Sequence, residues 1–329
     1  MEQNGQLTFS DDPLLSSSYE IYQLIEEGGF SEAVLKLDKL MDINPDYPGF
    51  VDGYRTARFW NNRKDEIKNL QRGKQTADFL MREWDRFKKY AEENDIVEKA
   101  AYKSSMKYIF FTAAENYKIA FQEQESTADN FDLLVSLGIC FLTLAEYRQA
   151  VETLEYARSS NRNSARLMSL LGEAYYHTDD ISKSILFFRE AFFINPSEID
   201  TGFLNAKPVL DLIKIVKEKK PDCHDVREWI PIFGFVEDIF YVRRNLNNDQ
   251  LETIKREIYS LEKSYQTTAK EKISESNIIT RLINKYIWML DYFVSQEYDF
   301  ESIKEIKSRL IRIDKDIFEP YFQKKENLR

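Results

Sequence analysis

The chain of 329 residues writes one pattern twice in succession, over 131–164 and 165–198, with a period of 34 residues. In register, Leu137-Gly138 falls on Leu171-Gly172 and Phe141 on Tyr175. Further along, Tyr147 falls on Ile181, Ala150 on Ser184, Leu154 on Phe188 and Ala157 on Ala191. A fixed period of this length marks a supersecondary unit that buries its apolar face against copies of itself. Such a stack has little room for a catalytic cleft and ample room for a groove that holds another chain.

Each unit reads as two helices. In the second copy Leu167, Met168, Leu171, Gly172, Ala174 and Tyr175 recur at helical spacing and predict a helix over Ala165–His177. Asn163-Ser164 before it supplies a capping oxygen. Thr178-Asp179-Asp180 breaks the helix, and Asp180 can cap a second one running from Ile181 to about Phe193. That helix stops at Asn195-Pro196, because the residue before a proline is pushed out of the α region. Gly172 and Ala191 are small where two helices approach closely, and Phe188 and Tyr175 are large where the space between turns must be filled.

This pattern resembles the tetratricopeptide repeat (TPR) family. The first copy matches with Leu134, Leu137, Gly138, Phe141, Ala150, Leu154 and Ala157, and departs with Arg162 where proline is usual. The second matches with Met168, Leu171, Gly172, Tyr175, Phe188, Ala191 and Pro196, and departs with Ser184 for the first alanine. The two copies cover about a fifth of the chain. The resemblance implies an all-α, right-handed solenoid of helical hairpins whose first helices line a groove. By analogy with the family, Asp132, Val135, Ile139, Leu142 and Thr143 face the groove from the first copy. Arg166, Ser169, Glu173, Tyr176 and His177 face it from the second, and a partial next unit begins with Asp200 and Phe203. Chaperone-adaptor members hold a terminal carboxylate with Lys and Asn at the fifth and ninth positions. Here those places are Val135 and Ile139, then Ser169 and Glu173, so a carboxylate clamp is not supported. An amphipathic helix or extended segment of another protein suits the mixed groove.

Weaker copies extend the pattern to both sides. Gly29-Phe30, Ala33, Leu37, Leu40 and Ile43-Asn44-Pro45 echo the second helix of the unit, with a first helix expected over about Pro13 to Glu27. There Glu20-Ile21 replaces the Leu-Gly pair. Asp46–Asn62 reads as the next helix, and 63–125 as two or three more, with one stripe of Phe79, Leu80, Trp84, Phe87 and Tyr90. Past Pro196 the period blurs. Ile199–Ala206 begins like another first helix, interrupted at Pro208. Leu210–Val216, Gln250–Tyr265, Ile278–Val294 and a last pair up to Ile313-Asp314-Lys315 read as helical. Trp229–Val242 is the longest apolar run, expected as a buried hairpin sealing the end of the array or as an exposed docking patch. The expected organisation is a degenerate N-terminal region over 1–125, two clear repeats and the start of a third over 126–205, and a degenerate C-terminal region with a cap over 206–329.

Charge narrows the partner. The formal net charge is −10, and phosphate backbones need a surplus of Lys and Arg on one face, so nucleic acid is not expected. Residues 1–46 hold ten acids and two bases, whereas 302–329 hold eight bases and five acids, which leaves self-association between the two ends open. Cys140 and Cys223 form no disulfide framework. The Asp222-Cys223-His224-Asp225 tetrad has no further Cys or His nearby, so no metal is expected. No cofactor-binding glycine loop and no Ser-His-Asp arrangement stands out. Met1–Asp12 has neither a basic nor an apolar stretch, so no secretory leader and a cytoplasmic location are expected, peripheral to a membrane complex at most. These features together predict a non-catalytic scaffold or adaptor in a bacterial-type multiprotein assembly, such as a motor, secretion or envelope-associated one. The alternative is a regulatory module that senses a peptide or small ligand. The least favoured reading is an enzyme with a helical catalytic domain in 205–329.

Overall fold

The computed structural model describes residues 13–123, 130–242, 246–268, 276–296 and 300–327, and among them every regular element is helical. The chain divides into two compact units, Met1–Ser160 and Asn161–Arg329. Their boundary falls after the second helix of the first in-register copy, inside the segment 126–205.

The first unit contains α1 (Pro13–Glu26), α2 (Phe30–Met41), α3 (Pro48–Asn61), α4 (Lys64–Asn69), α5 (Lys74–Glu93), α6 (Ala100–Glu123), α7 (Asn130–Thr143) and α8 (Tyr147–Ser160). Consecutive helices pack in pairs, α2 on α3, α5 on α6, α6 on α7 and α7 on α8. The long α6 also lies against α1 and α3, so the first three helices turn back on it. This departs from a stack in which each unit meets only its neighbours. Aromatic side chains explain the closure. Trp60 of α3 stacks on Trp84 of α5 with centroids 6.3 Å apart, and Phe87 lies 5.4 Å from each. Tyr102 and Phe110 of α6 close on Trp84 at 5.1 and 5.3 Å. Burying one such ring against several others is worth more than any local helix preference. The segment 63–125 thus holds three helices, with the predicted stripe turned inward at Phe79, Leu80, Trp84 and Phe87.

The second unit contains α9 (Ala165–His177), α10 (Ile181–Ile194), a 3-10 turn (Pro196–Glu198), α11 (Lys207–Lys219), α12 (Val226–Val236), α13 (Asn248–Thr267), α14 (Ile278–Gln296), α15 (Phe300–Ile313) and α16 (Lys315–Asn327). Ser164 caps α9 through Leu167 N–H, and Asp180 caps α10 through Lys183 N–H. Two expectations are corrected here. Ile199–Ala206 is not helical. The helix begins at Lys207 and carries Pro208 in its first turn, where a missing N–H leaves nothing unpaired. Trp229–Val242 is no hairpin sealing an end. Its first part belongs to α12, the central helix of the unit, which touches α10, α11, α14 and α16. Ile230, Ile232 and Phe233 are buried, and the chain turns back so that Phe240 reaches the Cβ-free side of Gly234. Tyr241 alone of its large side chains is well exposed.

The in-register copies share their turn chemistry and their close contact. After α7, Ala145 N–H donates to the Leu142 carbonyl at 3.1 Å and Glu146 N–H to Phe141 at 2.8 Å. After α9, 34 residues on, Asp179 N–H donates to Tyr176 at 3.2 Å and Asp180 N–H to Tyr175 at 3.0 Å. After α1, Gly28 N–H donates to Ile25 at 3.1 Å and Gly29 N–H to Leu24 at 2.8 Å. These paired bonds form a Schellman closure, which requires one residue in the left-handed region. Ala145 (φ 59°), Asp179 (φ 62°) and Gly28 (φ 80°) fill that place. In α7 a Cβ on Gly138 would stand 2.4 Å from Leu154 of α8, and in α9 a Cβ on Gly172 would stand 2.7 Å from Phe188 of α10. The hydroxyl of Ser184 donates to the Gly172 carbonyl at 2.8 Å, which accounts for serine where the pattern favours alanine.

α10 is apolar around nearly its whole circumference, with Ile185, Phe187, Phe188, Ala191, Phe192 and Phe193 buried. Such a helix must be covered on more than one side. Phe193 stacks on Trp288 of α14 at 5.7 Å and Phe192 on Phe240 at 6.0 Å. Within this apolar contact Arg189 of α10 is ion-paired with Asp291 of α14, both nearly inaccessible. No described helix is long and apolar enough to cross a membrane.

Candidate functional site

Arg166, Ser169, Glu173, Tyr176 and His177 recur along α9 at three- and four-residue spacing and so share one side of the helix. They do not share one fate. Arg166 is exposed, Tyr176 and His177 are half-exposed, and Ser169 and Glu173 are buried. The Ser169 hydroxyl donates back to the Arg166 carbonyl at 2.8 Å. The rings of Tyr176 and His177 meet edge-on with centroids 5.4 Å apart.

Glu173 is the organising residue, although the groove pattern places it as a contact for a partner. Its Oε1 accepts the Asn205 N–H at 2.8 Å and lies 3.0 Å from His177 Nε2. Its Oε2 accepts the Ala206 N–H at 3.1 Å. A buried carboxylate is tolerable only when such charge-assisted bonds replace its water. The two N–H groups that Glu173 takes are those of Asn205 and Ala206, the last two residues before α11. A negative charge there is favoured further by the helix dipole. The clasp fastens the 199–206 turn to the C-terminal half of α9 and fixes half-exposed Phe203 two residues before Asn205. Nothing in the local sequence pairs the Asn205 and Ala206 N–H groups with an acid 32 and 33 residues upstream.

The remaining predicted residues lie in the first unit. Asp132, Val135, Ile139 and Thr143 follow one another along one side of α7. Asp132 is exposed, Ile139 and Thr143 are half-exposed, and Val135 is buried with 2% of its surface accessible. Leu142 is buried as well. The Thr143 hydroxyl donates to the Ile139 carbonyl at 2.9 Å.

The two thiols differ in burial. Cys140 is inaccessible, and burial pushes its thiol up to about 12. Cys223 is half-buried, and burial and then the neighbouring Asp225 raise its thiol too. A reagent that needs thiolate is therefore expected, near pH 8, to label the folded chain slowly at Cys223 and not at Cys140. Both thiols should react quickly in denaturant, and equal rapid labelling in the folded chain would contradict the burial. Asp225 caps α12 through Arg227 N–H at 2.9 Å and binds the Arg227 guanidinium with both oxygens. Burial pulls its carboxyl up, but these Arg227 bonds outweigh that and hold it below its usual range. Among the described residues no three His, Cys, Asp or Glu side chains are grouped to hold a metal ion.

Compared with models of known protein families and with curated proteins, the chain has no match.

Proposed function

We propose that this chain is a non-catalytic interaction scaffold of the TPR kind, and that it holds a segment of another protein within a larger assembly of bacterial type. The observation that carries the reading is the turn-by-turn identity of two helical hairpins spaced 34 residues apart. Each has its own Schellman closure and its own glycine seated against a large side chain of the second helix. The partner would lie on Arg166, Tyr176, His177 and Phe203 of the second unit, an exposed cation and three half-exposed rings. Aromatic and arginine side chains are the types that dominate binding energy at protein interfaces.

Affinity capture with the full chain tests this. The wild type is expected to retain one or a few proteins, and Arg166→Ala with Tyr176→Ala to retain at least about tenfold less at unchanged melting temperature. Both residues are accessible, so the pair of substitutions spares the core. Retention of no protein by the wild type, or equal retention by the variant, would sink the proposal.

A further inference from the structure

The first unit carries two faces of opposite charge. Helices α3 and α5 run past one another in opposite directions. Arg55 Nη1 donates to the Asn94 carbonyl at 3.1 Å, the Phe59 ring lies 5.3 Å from Tyr90 and 4.9 Å from Phe87, and Arg63 Nε reaches Glu83 at 2.6 Å. Arg82, Arg86 and Lys89 follow one another along the adjoining side of α5, and all three are exposed. Glu83 lies between these cations, 2% accessible, with one oxygen taken by Arg63 and the other by Arg86 at 2.6 Å. Asp85, further round the helix, is paired with Lys88 at 2.8 Å, and Glu93 stands one turn beyond Lys89. The seam therefore keeps a surplus of positive charge on a chain whose net charge is −10.

The outer side of α2 is the counterpart. Glu32, Leu35, Asp38 and Asp42 recur there at three- and four-residue steps, with Lys39 the base beside them. Leu35 is 65% exposed, and Ile43 just past the helix is 75% exposed. Among the described residues α2 makes one ion pair, Lys36 with Glu20 of α1, which leaves these three acids uncovered. The basic stretch 302–329 is a poorer match for them, because Lys307, Arg309 and Lys325 already hold Glu326, Glu305 and Asp238. Asp38 and Asp42 stand one turn, roughly 6 Å, apart along their helix, and so do Arg82 and Arg86. Laid antiparallel, the two helices would set Asp42 against Arg82, Asp38 against Arg86, and Leu35 over the half-exposed ring of Tyr90.

We propose that the arginine-rich seam of α3 and α5 takes the acidic face of α2 from a second copy of this chain. Two whole chains of like net charge repel, but salt screens that repulsion beyond about 8 Å, so the charges in contact decide. Opposed charge fixes the register, and exposed Leu35 adds apolar area to the contact. The contact uses a different face on each copy, so it runs head to tail and builds rows or rings. It is independent of the face on α9, so either can fail while the other stands.

Sedimentation velocity of the full chain over a concentration series is the test. At about 0.1 M salt the sedimentation coefficient is expected to rise with concentration, and at about 0.5 M that rise should shrink, because salt weakens exposed pairs. Arg82→Glu with Lys89→Glu should keep the chain monomeric, and so should Asp38→Lys with Asp42→Lys, each at a melting temperature near that of the wild type. All four side chains are exposed, and Glu83 retains Arg63 and Arg86. An equal mixture of the two variants should associate again, since each supplies the face that the other lacks. Arg166→Ala with Tyr176→Ala should associate as the wild type does. A wild-type chain that stays monomeric at every concentration, association that survives either charge reversal, or a mixture that stays monomeric would overturn the proposal.

Discussion

Replacement of Asp291 by alanine is expected to destabilise the second unit by about 3–5 kcal/mol. The loss is larger than the net worth of the ion pair, because the Arg189 guanidinium would remain buried between α10 and α14 with its charge uncompensated. Arg189 lies over the Phe193 ring at 5.0 Å, and one side of it is therefore already committed to an apolar face that cannot replace the carboxylate. Domains are stable by about 5–15 kcal/mol in total, so the single change takes a large share of the whole. Removal of both charges should behave differently. Arg189→Met with Asp291→Leu is expected to recover most of the loss, since apolar groups of similar volume suit a site between Phe193 and Trp288. Urea unfolding followed by helical circular dichroism distinguishes the cases. An unchanged midpoint for Asp291→Ala would show that the pair is solvated, contrary to its burial.

The second large effect is a reversal of sign. Glycine to alanine inside a helix ordinarily stabilises by about 1 kcal/mol, through propensity alone. At Gly172 the added methyl would stand 2.7–2.9 Å from three ring atoms of Phe188. That ring is wholly buried and has nowhere to swing. Overpacking of this kind costs about 1–3 kcal/mol, so Gly172→Ala should be destabilising despite the better helix former. In a Phe188→Ala background, where the ring is gone, the same Gly172→Ala change should no longer destabilise, which thermal melts of the two single variants and the double variant would register. A Gly172→Ala chain more stable than the wild type would mean that α9 and α10 stand further apart than described.

The local hairpin chemistry was legible because it depends on neighbours in sequence. The caps at Ser164 and Asp180, the break at Asp179 and the small residue at Gly172 are each read within one turn of helix. Even the N-terminal copy kept its register. There Ile21 occupies the glycine place of the pattern, and a glycine appears instead on α3, where a Cβ on Gly53 would lie 3.2 Å from Ile21. What stayed hidden depends on distant partners. Asp291 is about a hundred residues from Arg189, and nothing in helical periodicity pairs them. The return of α2 and α3 towards α6 goes with ring contacts of Phe30 on Tyr108 and of Trp60 on Trp84, far apart in sequence. One global signal was present and went unread. Tyr147–Ser160 is two-faced, whereas Ile181–Ile194 at the equivalent place is apolar nearly all round, so the second copy had to be covered by later helices. At the candidate site, Arg166, Tyr176, His177 and Phe203 were recognisable as a set. The family's groove positions place Glu173 as a contact for a partner, whereas the side chain is buried. Its burial goes with the Asn205 and Ala206 N–H groups that it takes.

The most direct measurement is backbone hydrogen exchange of the full chain, alone and saturated with the protein it captures. The account predicts slowed exchange in 166–177 and 199–206 on binding, with the core of α12 unchanged. Protection confined to other segments, or none in those two, would contradict a partner held on α9 and its clasped turn.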